Sequence, residues 1–116
     1  MKLKELCADE RPREKMLDKG SASLSNAELL AIMLRTGTEK LNALEIAQSM
    51  LKATEGRLED LAGMSVENLC AFDGVGPSKA VTIAAAFELG RRYATEKASD
   101  NRLRLSSPKT VFRLMY

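Results

Sequence analysis

A chain of 116 residues with 45% hydrophobic and 4% aromatic side chains suits one small domain, with a core built from Leu, Ala, Met and Ile. No apolar run approaches the roughly eighteen residues of a membrane helix, and no apolar signal segment opens the chain, so a cytoplasmic protein with no membrane partner is expected. Histidine is absent, and Cys7 and Cys70 stand far apart, so no zinc site is read and both cysteines are expected as free thiols, Cys70 in the core. The formal charge of +2 is unevenly spread: residues 1–73 sum to −3 and residues 74–116 to +5. The positive half includes Arg91, Arg92, Lys97, Arg102, Arg104, Lys109 and Arg113, which form either a basic patch or a solvated face.

Residues 1–20 read as an N-terminal arm and a short helix. Pro12 opens that helix and Gly20 closes it, with Met16 and Leu17 as its apolar stripe. Arg11, Arg13 and Lys15 lie within reach of a phosphate on the same turn. At Leu24-Ser25-Asn26-Ala27-Glu28-Leu29, Ser25 is an N-cap and Glu28, at N3, completes a capping box. The helix carries Leu30, Ile32, Met33 and Leu34 and is expected to stop at Gly37. The device recurs with Asn42 as N-cap and Glu45 at N3, opening a helix with Leu44, Ile46, Ala47, Met50 and Leu51 that ends near Gly56. Leu58 to Ala62 makes a short linking helix, and Ser65 caps the next.

Val66 to Arg92 organises the rest. A short apolar helix enters Asp73-Gly74-Val75-Gly76-Pro77, and a long helix leaves it. Gly74 and Gly76 tolerate positive φ, and Pro77 suits the first helical turn. Bare amides at a positive helix end favour an oxyanion such as a phosphate, while Val75 points inward. Leu69, Phe72, Gly74, Val75, Gly76, Ala80 and Ile83 resemble the helix–hairpin–helix motif, whose hairpin amides hold a DNA phosphate without reading sequence. That resemblance makes Gly74, Val75, Gly76, Ser78 and Lys79 the expected phosphate site; the plain alternative is a tight turn between helices. Arg91-Arg92 are expected to complement the end of the long helix. Thr95–Arg104 reads as a linker, and Ser107 and Pro108 start a new helix bearing Val111, Phe112, Leu114 and Met115.

A shift of 37 residues superposes Gly37 on Gly74, Ala43 on Ala80, Ile46 on Ile83 and Ala47 on Ala84. The expected fold is therefore all-α, a compact bundle of short helices with tandem, pseudo-two-fold helix–hairpin–helix units over 21–94. Residues 95–116 are read as a linker and the start of a following domain. Thr36, Gly37 and Thr38 form a degenerate first hairpin and a candidate second contact, with Glu39 opposing an anion.

Glu10–Leu17, Leu24–Thr38, Ala43–Ala47, Gly74–Ala80 and Phe87–Arg92 resemble the N-terminal region of the RadC-like family, traditionally called DNA repair proteins. In that family a JAB/MPN-type metal-dependent hydrolase domain follows. Its histidine ligands have no counterpart here, so no catalytic residue, metal or cofactor is expected. A helix–hairpin–helix glycosylase would need Lys two residues after the last hairpin glycine, where Ser78 stands instead. Two readings remain. One is a non-sequence-specific DNA-binding module, taking the backbone of duplex or single strands. The other is a protein-interaction module that positions or dimerises the downstream domain, with a homo-oligomer as a further partner class.

Overall fold

Three helix starts are fixed by side chains close in sequence. Ser25 Oγ accepts the Glu28 amide at 3.2 Å, while Glu28 Oε1 accepts the Ser25 amide at 2.8 Å. Asn42 and Glu45 repeat the exchange at 2.8 and 2.9 Å. Ser65 Oγ accepts the Asn68 amide at 3.1 Å. Each cap satisfies amides that the first helical turn leaves without partners.

The computed structural model describes residues 10–106, which are all-helical with no strand among them. The helices are α1 (Arg11–Lys19), α2 (Asn26–Leu34), α3 (Ala43–Ala53), α4 (Leu58–Ala62), α5 (Val66–Cys70) and α6 (Pro77–Ser106), with a 3-10 turn at Ser21–Ser23. The chain divides into two compact units, up to Ala85 and from Ala86 on, and the boundary falls inside α6. The core of the first unit comprises Leu30, Ala31 and Leu34 of α2, Ala43, Ile46, Ala47 and Met50 of α3, then Leu61, Leu69, Val75, Ala80 and Ile83. Two of the pairs equated by the 37-residue shift share this burial, Ala43 with Ala80 and Ile46 with Ile83, whereas Ala47 is buried and Ala84 only half-buried, so a pseudo-two-fold is not established. Lys15 of α1 reaches Glu28 of α2 at 3.2 Å. The hydrogen bond from the Ser25 amide, and after it the Lys15 ion pair, hold the Glu28 carboxyl below its ordinary range.

Several expectations change. Leu17 is 84% exposed, and α1 buries Pro12 instead. Cys70 is half-buried, because Leu69 takes the inward position on α5. Helix α2 ends at Leu34 rather than Gly37, with Arg35 as its C-cap at φ 71°, ψ −58°. Helix α3 ends at Ala53, close to Gly56 as expected, and Glu55 at φ 55° and Gly56 at φ 77° turn the chain. The Gly56 amide donates to the Leu51 carbonyl and the Glu55 amide to the Lys52 carbonyl, a Schellman-type closure.

The largest difference is in α6. Residues 95–104, read as a linker, are helical, so Arg91 and Arg92 lie within the helix rather than at its end. Ala94, Glu96, Lys97 and Ala98 are good helix formers, and neither Gly nor Pro follows Gly90 before Ser106. Arg91 and Arg92 pair with Glu88 at 2.7 and 2.8 Å, one turn back on the same helix. Cys7 and the arm before residue 10, and the capping residues Ser107 and Pro108 with Phe112 and Met115, lie outside the described residues.

Candidate nucleic-acid interface

The α5–α6 corner is built from a scaffold glycine and an open glycine. Gly74 sits at φ +87°, and a Cβ there would lie 2.6 Å from Ile46 Cδ1 and 3.3 Å from Thr38 Cγ2. Only glycine fits both the backbone and the space. Val75 is buried, and its amide donates to the Phe72 carbonyl at 3.1 Å. The expectation of a bare Gly-Val-Gly is therefore corrected at Val75, whose amide closes the turn and whose side chain anchors it. Gly76 is the residue before the first helical position, and its carbonyl accepts the Ala80 amide at 2.9 Å. A Cβ on Gly76 would meet nothing within 4 Å. The amides of Gly74, Gly76, Ser78 and Lys79 donate to no acceptor among the described residues. Gly76 and Ser78 are exposed and Lys79 is half-buried.

The connection from α2 to α3 is a different object. The Thr36 amide donates to the Leu34 carbonyl at 2.8 Å, a γ-turn centred on Arg35. The Thr38 amide donates to the Leu41 carbonyl at 2.7 Å, and Thr38 Oγ1 accepts the Lys40 and Leu41 amides at 3.3 and 3.2 Å. A Cβ on Gly37 would lie 2.5 Å from Asn42 Cα, so this glycine serves close backbone approach. Thr36 and Thr38 thus spend their amides within the loop rather than presenting them to an anion. The two corners are joined by Lys79, whose Nζ donates to the Thr36 carbonyl. An ammonium has three N–H donors, so two remain.

Among the described residues, two clefts beside these corners differ in charge. One, of about 550 Å³, is lined by Thr38, Glu39, Lys40, Leu41, Asp73 and Gly74. Its two carboxylates oppose an anion. The other, of about 290 Å³, is lined by Arg35, Thr36, Ser78, Lys79 and Thr82 above Met33 and Leu34, with no carboxylate in the lining. Arg35 and Thr82 join this lining without any signal in the sequence pattern. Elsewhere, Lys15 is engaged with Glu28, leaving Arg11, Arg13 and Lys19 as the exposed cations of α1. No group of three or more His, Cys, Asp or Glu suited to a metal occurs among the described residues. No helix among them is long and apolar enough to cross a membrane.

Comparison with known proteins decides the family. The family described as UPF0758 N-terminal matches residues 3–81. The chain belongs to this family. UPF0758 is the RadC-like family, in agreement with the resemblance carried by Glu10–Leu17 and Leu24–Thr38. A UPF0758 protein of Clostridioides difficile strain 630 is 52% identical over 97 residues, covering 84% of this chain and 41% of the relative. A UPF0758 protein of Clostridium botulinum strain Hall is 43% identical over 114 residues, covering 98% and 49%. A Staphylococcus aureus strain Newman UPF0758 protein is 40% identical over 111 residues, covering 96% and 48%. The chain therefore spans less than half the length of these UPF0758 relatives. No solved structure matches it.

Proposed function

We propose that the first unit is a non-sequence-specific DNA-binding module of helix–hairpin–helix type, seating one backbone phosphate at the start of α6. The observation that carries this reading is the group of unspent amides at Gly76, Ser78 and Lys79, beneath open space over Gly76. Helix starts carry partial positive charge, and a phosphate oxygen can accept several such amides at once. Lys79 adds a fixed cation, held in place through Thr36. None of these groups reads a base, so affinity belongs in the non-specific range of about 10⁻⁴–10⁻⁶ M and falls as salt rises. Any part in DNA repair would follow from this docking within a longer RadC-like protein, whose chemistry would sit in its downstream JAB/MPN-type domain.

The test is a titration of labelled duplex and single strands with wild-type protein and Gly76→Asp. An Asp before Pro77 is a good N-cap and meets no neighbour, so the fold persists while a negative charge occupies the phosphate position. The proposal expects binding at low salt that this substitution abolishes. Binding that survives Gly76→Asp unchanged, or never occurs, refutes it. The second reading, a module that positions or dimerises the downstream domain, is favoured by exposed Leu89 and Tyr93, one turn apart on α6. Under that reading Leu89→Ser and Tyr93→Ser disrupt association, while Gly76→Asp is silent.

A further inference from the structure

We infer that the cleft between the α2–α3 connection and the start of α6 is a second phosphate seat, with Arg35 as its principal ligand. The inference rests on the DNA-docking reading above and gives the bound strand a direction across the surface. Arg35 is exposed, and its guanidinium makes no hydrogen bond or ion pair among the described residues. It shares a cleft of about 290 Å³ with Lys79, and the hydroxyls of Thr36, Ser78 and Thr82 complete the polar lining. Thr82 Oγ1 donates back to the Ser78 carbonyl at 3.1 Å, whereas Ser78 Oγ has no partner among the described residues. Two cations, free hydroxyl donors and no lining carboxylate suit a phosphodiester, since guanidinium offers paired N–H groups to phosphate oxygens. The cleft beside Gly74 carries Glu39 and Asp73 against the single cation Lys40, so a phosphate strand leaving the α6 corner is disfavoured there and drawn towards Arg35.

The turn beneath Arg35 makes the test clean. Its backbone lies at φ 71°, ψ −58°, a region that glycine occupies more readily. Arg35→Gly deletes the guanidinium and suits the turn, so lost binding cannot be ascribed to lost folding. Arg57 pairs with Glu59 and Asp60 and lines neither cleft, and Arg57→Ala controls for loss of one positive charge. The experiment measures affinity for a short labelled duplex over a salt series for wild type, Arg35→Gly, Arg57→Ala and Gly76→Asp. Loss of one charge-assisted contact predicts roughly tenfold weaker binding at low salt for Arg35→Gly. The slope of log K against log salt should also shrink by about 0.9. Arg57→Ala should keep the wild-type slope. If Arg35→Gly behaves as Arg57→Ala while Gly76→Asp abolishes binding, the second seat is overturned and the α6 corner stands. If Gly76→Asp also binds normally, or wild type does not bind, the docking reading falls and takes this inference with it.

Discussion

Alanine at Gly74 and alanine at Gly76 should have opposite consequences, although the residues are separated only by Val75. At Gly74 the backbone holds φ +87°, which costs an L-residue about 1–2 kcal/mol. The new Cβ would also lie 2.6 Å from Ile46 Cδ1, and Ile46 is fully buried, so it cannot swing into solvent. Forcing an extra carbon into a packed core adds about 1–3 kcal/mol. Gly74→Ala should therefore destabilise the first unit by about 2–5 kcal/mol. At Gly76 the Cβ enters open space. Alanine is a poorer N-cap than glycine, but it lowers unfolded-chain entropy by about 0.4–1 kcal/mol, so the net change should stay within about 0.5 kcal/mol. Urea unfolding followed by helical circular dichroism measures both. At a mid-range slope of about 2 kcal/mol per molar urea, Gly74→Ala should lower the midpoint by roughly 1–2.5 M. DNA titration should rank them the other way, because the Gly76 methyl group intrudes where the phosphate approaches while the fold survives. Equal destabilisation by the two substitutions would refute the division into scaffold and contact glycine.

Three further outcomes are expected. Arg35→Gly should stabilise the first unit by about 0.5–1 kcal/mol, the relief of positive φ less the added unfolded-chain entropy, read as a raised urea midpoint. Lys79→Ala should weaken binding about equally for unrelated DNA sequences and reduce the salt slope by about one, as for a phosphate contact; strong sequence dependence would contradict it. The Glu88 carboxyl is lowered to about 2 by its hydrogen bond from Arg91 and then that from Arg92. The folded value lies below the unfolded one, so the contribution is present above the ordinary range near 4.5 and is lost as pH falls towards about 2. Carboxyl-carbon NMR of Glu88 should show this low midpoint and its return towards the ordinary range in high salt, because the pair is exposed. A midpoint already near the ordinary value at low salt would contradict the pairing.

What could be read in the sequence was what a few adjacent residues determine. The exchanges between Ser25 and Glu28 and between Asn42 and Glu45 span three positions, and each places a helix start without tertiary help. Pro77 after Gly76 likewise announces the start of α6, and Val75 between two glycines announces an inward anchor. Reading failed where polarity stood in for conformation. Residues 95–104 are polar enough for a linker, yet lack a helix breaker, and propensity carried the helix through them. Gly37 looks like a helix stop in the sequence, but its small size serves the approach of residues 41 and 42. The candidate site suffered most from distance along the chain. Lys79 meets Thr36 across 43 positions, and Arg35 takes a positive φ that nothing in its neighbourhood signals. Both depend on how two loops face each other, which no local pattern encodes.

Backbone amide NMR during titration with a short DNA duplex at low salt tests the phosphate seat most directly. The account predicts the largest shift changes at Gly76, Ser78 and Lys79, with smaller ones at Arg35 and Thr82 and little at Glu39 and Lys40. Shift changes that bypass the start of α6, or that centre on Glu39 and Asp73, would contradict it.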